Sequence, residues 1–262
     1  MSRRRLLAGG TIAAGSTALA GTAAARLLGT DRLPLDGGYA PAGNALGWTP
    51  RGGVRCVWHV PTDLPLVALT FDDGPLPDWT PRVLDILDRL AVPATFFLVG
   101  EHVRKHPELV AAGRYDGHEV GNHTWSHADL GRLDADEALS QLRAAHEEIA
   151  ARLGRTPRLL RPPWGHLGGS SLIAADLLGY DVVLWSQLMP ERQYAGDPAG
   201  FVRRVAADAR PGSILLAHDV GDPCRLITVD NLATIVGALR AKGLRLVTVS
   251  ELLASAAAPA AR

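Results

Sequence analysis

The chain has 262 residues, enough for one sizeable α/β domain or at most two small ones. Hydrophobic residues make up 47% and charged residues 21%, which excludes both a disordered chain and one that spans membranes throughout. Its 27 basic residues balance 27 acidic ones, so the basic excess typical of nucleic-acid binding is absent and no such partner is expected.

In chain order, Ser2-Arg3-Arg4-Arg5 precedes an apolar run rich in Ala, Gly and Leu that reaches about Leu28. A charged start, a hydrophobic middle and a small-residue exit at Ala23-Ala24-Ala25 are the three parts of an export signal. The adjacent arginines resemble the twin-arginine type. Residues 1–25 are therefore read as an export signal, implying an extracellular or cell-envelope location, with membrane attachment only through this segment if it stays uncleaved. Residues 26–55 are rich in Gly and Pro without a sustained period and read as a linker or wrapping arm. The main folded domain is assigned to 56–255 and a tail to 256–262. Cys56 and Cys224 are the only cysteines, and outside the cytoplasm a disulfide or two free thiols are both open.

From Cys56 onward, short β-branched or aromatic runs alternate with amphipathic stretches. Strands are predicted at 66–71, 94–99, 158–161, 181–185, 213–218 and 244–249. Helices are predicted at 80–90, with Thr80 as N-cap and Pro81 at the first position, and at 101–112, 134–153, 171–178, 198–209 and 230–241. The clearest is 134–153, where Leu139, Leu142, Ala145, Ile149 and Leu153 form one stripe. Such alternation predicts an α/β fold, a distorted (β/α) barrel of about seven parallel strands in a single domain. Barrels of this kind carry their chemistry on loops leaving the carboxyl ends of the strands.

Unusual polar residues fall just there. Thr70-Phe71-Asp72-Asp73-Gly74-Pro75 ends a strand with two adjacent carboxylates, and Gly74-Pro75 lets the backbone turn so that both can face one pocket. Like charges this close repel; a metal ion on one relieves the conflict and leaves the other as a base. An ordinary surface turn is the alternative reading. His123 and His127 stand at i and i+4, which on a helical turn share a face suited to one metal. With Asp73 they supply three ligands and leave open positions, the arrangement of a catalytic centre. Arg161-Pro162-Pro163-Trp164-Gly165 holds an arginine that can pair with Asp72. Trp164 can offer its ring to a sugar face and its backbone N–H to an oxyanion, or it can simply be a core residue. His218 closes an apolar run, placed to donate a proton to a departing amine.

The ordered set T-F-D-D-G-P, H-T-W-S-H, R-P-P-W-G and L-A-H-D resembles the polysaccharide deacetylase family, carbohydrate esterase family 4, over about Val67 to Leu253. The resemblance implies a distorted barrel and hydrolysis of N-acetyl groups on a peptidoglycan or chitin-like glycan. It implies that Asp73, His123 and His127 bind one divalent metal, usually Zn2+, with Co2+, Ni2+ or Mn2+ as alternatives. It assigns Asp72 as general base, His218 as general acid, Arg161 as the residue that tunes Asp72, and Trp164 to the oxyanion. Substrate is then a polysaccharide or oligosaccharide, and the protein is expected to act as a monomer. An O-acetyl esterase on xylan-like glycan and a catalytically impaired glycan-binding protein are the alternatives. One element departs from the family pattern: Trp185-Ser186-Gln187-Leu188-Met189-Pro190-Glu191 has Ser186 where an aspartate that orients the acid histidine is expected, with Glu191 as a possible substitute.

Overall fold

A computed structural model describes residues 53–111 and 113–256. The export signal, nearly all of the linker and all but the first residue of the tail lie outside the described residues. No described helix is long and apolar enough to cross a membrane.

Nine strands form one sheet among the described residues: β1 (Cys56–Val57), β2 (Leu66–Asp72), β3 (Thr95–Leu98), β4 (Glu119–Asn122), β5 (Leu159–Leu160), β6 (Asp181–Val183), β7 (Gln187–Leu188), β8 (Ile214–His218) and β9 (Arg245–Val247). Their order is β1-β6-β5-β4-β3-β2-β8-β7, with β9 beside the start of β2, and every pairing is parallel. Between and around them run α1 (Thr80–Leu90), α2 (Gly100–Lys105), α3 (Ala135–Leu153), α4 (Gly169–Leu178), α5 (Pro198–Asp208), α6 (Leu226–Ala241) and α7 (Val249–Ala254). β2 is the central strand, buried at all seven positions, as its nearly unbroken apolar run requires of a parallel strand covered on both faces.

One chain segment brings the sheet back on itself. β6 pairs with β1 and β5, while β7, four residues later, pairs with β8. The residues between them bond to both sides: the Leu184 N–H donates to Val57 O (2.7 Å) and the Ser186 N–H to Ile214 O (3.1 Å). This closure makes the expected distorted barrel. It carries nine strands rather than about seven: β1 and β7 are two-residue strands that leave no period in the sequence, and β4 was not expected either.

Local departures have local causes. The helix expected over 101–112 stops at Lys105, and Pro107 begins a separate 3-10 turn to Val110. α3 starts with a capping box, in which the Asp134 carboxylate accepts from the Glu137 N–H and the Glu137 carboxylate accepts from the Asp134 N–H. Thr80 does not cap α1: the N-cap is Trp79, and the Thr80 hydroxyl bonds elsewhere. β4 was not expected from sequence, its glycine being a poor strand former. A Cβ on Gly121 would meet the Phe97 ring at 2.6 Å, so the glycine makes room for an aromatic on the neighbouring strand.

Candidate metal and catalytic site

The candidate ligands leave the carboxyl ends of β2 and β4. Asp73 follows β2 directly and has φ 76°, so the left-handed turn occurs at the aspartate itself, before Gly74-Pro75. Its Oδ1 lies 3.3 Å from His123 Nε2 and 3.1 Å from His127 Nε2, and the three ligand atoms all fall within 4.8 Å of one another. His123 Nδ1–H donates to the Arg161 carbonyl at 2.6 Å, which leaves Nε2 as a lone-pair donor aimed at the cluster. Asp73 Oδ1 is buried and has no other hydrogen-bond partner. Two imidazole nitrogens and an orphaned carboxylate oxygen converging in this way fit a divalent cation with open positions.

The two histidines do not share a helical turn, contrary to the sequence expectation. They sit on an irregular loop with positive φ at Thr124 (68°) and His127 (56°). Polar side chains tie this loop down. Asn122 Oδ1 accepts from the Thr124 N–H, Thr124 Oγ1 accepts from the Ala128 N–H, and Gln141 Oε1 on α3 accepts from the Trp125 and Ser126 N–H groups. Left-handed conformations at non-glycine residues persist only where surroundings over-determine them, and they gather at functional sites. Trp164 (φ 54°) is another of this group.

Asp72 ends β2, nearly buried, in register with His218 at the end of β8. Arg161 is fully buried, and its Nη1 donates to Asp72 Oδ1 at 2.8 Å and to Thr70 Oγ1 at 2.7 Å. The other Asp72 oxygen, Oδ2, points to the metal cluster, 3.8 Å from His123 Nε2. Trp164 is 58% exposed, and its ring centroid stands 4.4 Å from that of His127, a lip over the ligand. Trp79 instead packs on the core, and Trp125 lies beneath the Arg104 guanidinium.

His218 Nδ1 is buried and has no hydrogen-bond partner. Burial lowers its pKa; the negative charge of Asp72 pushes the other way, and Arg225 adds to the lowering. Ser186 is not beside it. Its hydroxyl accepts from the Ile214 N–H at 3.0 Å, at the foot of β8, some 13 Å of strand from His218. Glu191 does line the same cleft as His218, a cavity of about 400 Å³ that also includes Met189, Asp222, Cys224 and Arg225. Yet its carboxylate accepts from the Thr228 hydroxyl at 2.5 Å, and no hydrogen bond joins it to His218 Nδ1 among the described residues. Cys224, on the loop after β8, and the exposed Cys56 are both free thiols, so the disulfide left open by the sequence is not formed.

Reading the sequence for motifs missed three residues around this site. His102 Nδ1–H donates to the Asp73 carbonyl at 2.7 Å, and Arg225 Nη1 donates to Asp73 Oδ2 at 2.9 Å. Neither belongs to a motif, so no local signal marked them. Asp219, fully buried, accepts from the Thr80 hydroxyl at 2.6 Å, and Thr80 in turn accepts from the Leu76 N–H, which fixes the turn after Asp73. It stands within L-A-H-D and could have been singled out.

Burial pushes the Glu191 carboxyl up to about 7, against the hydrogen bond from Thr228. A carboxyl raised on folding favours the native state most fully below its unfolded pKa, and this contribution is lost as pH rises through about 7. Glu191→Gln, uncharged at every pH, is expected to be more stable than wild type at pH 8 relative to pH 5, by on the order of 3 kcal/mol. Urea denaturation of both proteins in chelator at the two pH values checks this. Parallel pH dependences would show that Glu191 is not buried as described.

The sequence model of the polysaccharide deacetylase family matches residues 59–183. A peptidoglycan-N-acetylglucosamine deacetylase of Bacillus cereus is 39% identical over 205 residues, covering 78% of this chain and 94% of the relative. A chitooligosaccharide deacetylase of Sinorhizobium fredii is 39% identical over 184 residues, 68% of this chain and 82% of the relative. Among solved structures, the Bc1960 peptidoglycan N-acetylglucosamine deacetylase, bound to a naphthalenyl N-oxidanyl-benzamide, superposes with a TM-score of 0.72 at 32% identity, over 80% of this chain and 99% of that one.

Proposed function

Since this chain belongs to the polysaccharide deacetylase family, we propose that it is an exported, metal-dependent hydrolase that removes N-acetyl groups from a peptidoglycan or chitin-like glycan. The observation that carries the reading is the division of labour between neighbouring carboxylates. Asp73 turns one bare oxygen to two imidazole nitrogens, while Asp72 is gripped on one side by Arg161 and free on the other. Such a pair separates cation binding from proton transfer.

Asp73, His123 and His127 would hold the cation, which is Zn2+ by the usual preference of two histidines and a carboxylate. When bound, it supplies a Lewis acid that acidifies water and polarises an acyl oxygen. Asp72 Oδ2 takes the proton from the attacking water, with Arg161 keeping the carboxylate in place. His218, across the β2–β8 pairing from Asp72, gives a proton to the sugar nitrogen as the C–N bond breaks. His123 is held in its tautomer by the Arg161 carbonyl, so a single buried residue steadies both the base and a ligand. Trp164 presents an exposed ring at the mouth, suited to a pyranose face. Residues 1–25 act as the export signal in this reading, which places the enzyme where its polymer is.

Purified protein loaded with Zn2+ is expected to release acetate from N-acetylglucosamine oligomers, and excess chelator is expected to stop it. Parallel assays on peptidoglycan and acetylated xylan separate amide from ester substrates; release from xylan alone would replace the amide reading with the ester one. The unpartnered His218 Nδ1 favours a second reading, a glycan-binding protein with impaired turnover. Retained glycan binding with no acetate released under any divalent metal would establish it.

A further inference from the structure

We propose that Arg225 is a positioning residue for the metal centre, holding Asp73 as a one-oxygen ligand and thereby setting the affinity of the site for its cation. The inference rests on the reading of Asp73, His123 and His127 as a metal site. Arg225 comes from the loop between β8 and α6, beside β2 in the sheet though 152 residues along the chain from the carboxylate it touches. Its Nη1 donates to Asp73 Oδ2 at 2.9 Å and to the Val220 carbonyl at 2.9 Å. With Oδ2 occupied, only Oδ1 is left to face the histidines, and Oδ1 is the buried oxygen that has no hydrogen-bond partner.

The loop is shaped around this guanidinium. Gly221 has φ +103°, and a Cβ there would come within 2.8 Å of Arg225 Nη1. The Asp222 carboxylate accepts from the Cys224 N–H and bends the chain back so that Arg225 can return toward β2. Asp73 is thus gripped at both ends, its carbonyl by His102 and its second carboxylate oxygen by Arg225. A ligand carboxylate fixed in this way needs no reordering when the cation arrives. Groups that orient a ligand from behind are commonly worth 10–100-fold in metal affinity. Lysine reproduces the grip only in part: both bonds come from the one nitrogen Nη1, but the ammonium sits on a shorter, flexible stem without the rigid plane that aims Nη1 at both acceptors.

The test is zinc affinity, read without turnover, by competition of the full-length apo-protein with a chromophoric chelator. Arg225→Met is expected to raise the zinc Kd about 10–100-fold, with Arg225→Lys recovering only part of the loss. Gly221→Ala, which keeps the arginine but crowds it, is expected to weaken zinc in the same direction, and to add nothing further in the Arg225→Met background. Arg204→Met removes an exposed charge that pairs with Asp208 on α5, away from this loop, and is expected to leave the Kd within about twofold. The melting temperature of each apo-protein separates lost affinity from lost fold; should Arg225→Met fail to fold, Gly221→Ala and Arg225→Lys carry the test. Wild-type zinc binding with a change of less than about fivefold in the folded Arg225 and Gly221 variants overturns this inference alone. Absence of zinc binding by the wild type overturns the metal-site reading with it.

Discussion

Asp72→Asn is expected to lower acetate release by about 10²–10⁴-fold, the usual contribution of a general base, while zinc affinity stays within a few-fold of wild type. The substitution is nearly isosteric. An asparagine Oδ1 still accepts from Arg161 Nη1, so the buried guanidinium keeps its neighbour. What changes is the second atom: an amide NH₂ replaces the free Oδ2 facing the cluster, and it donates where the carboxylate accepted a proton. Equilibrium zinc titration alongside the acetate assay checks both halves. A variant that loses zinc together with activity would show that Asp72 is itself a ligand, and the assigned split between the two carboxylates would fall.

The largest effect on stability is expected at Arg161. Its Nε donates to the Val183 carbonyl at 3.0 Å and its Nη2 to the Leu184 carbonyl at 2.9 Å, while Nη1 serves Thr70 and Asp72. The Phe97 ring lies 4.1 Å from its Cζ. Arg161 therefore pins the segment that closes the barrel to the central strand that carries the base. Arg161→Met leaves the Asp72 charge buried and unpaired, along with two bare carbonyls. Removing one partner of a buried pair costs about 3–5 kcal/mol, or about 6–20 °C of melting temperature in a domain of this size. Lysine is not expected to rescue it, because one ammonium cannot reach four acceptors in one plane. Thermal unfolding of the two variants in chelator measures this; a drop below 3 °C would mean that the closure holds without the guanidinium.

Much of the molecule was open to inference from residues alone. The apolar run 66–71 reads as a strand, which the fold makes the central one, and the stripe Leu139, Leu142, Ala145, Ile149 and Leu153 reads as a helix over 134–153, one residue longer than α3. Elsewhere the local signal was overruled. Thr80 has the features of an N-cap, but its oxygen accepts from the Leu76 N–H rather than from a helix N–H, and its hydroxyl donates to the buried Asp219, supplied from 139 residues away. The spacing of His123 and His127 suggested a helix, and the same convergence is reached by left-handed residues that Asn122, Thr124 and Gln141 stabilise. Ser186 stands where the family pattern led one to expect the partner of His218, yet the strand places it at the opposite end of β8.

The amino-acid order by itself determined the fold class, the family and the motif residues at the mouth of the barrel, Asp72, Asp73, His123, His127, Arg161 and His218, but not His102, Asp219 or Arg225 beside them. These depend on hydrophobic period and on short motifs, which are properties of neighbours along the chain. The tertiary structure alone decided which atoms of those residues are free to act: the bare Oδ1 of Asp73, the free Oδ2 of Asp72 and the unpartnered Nδ1 of His218. Each is set by a group tens to more than a hundred residues away, or by the lack of one, and no local pattern encodes such a meeting. Burial then gives these long-range contacts their weight, since a polar atom shut off from water is governed by whatever partner the fold provides.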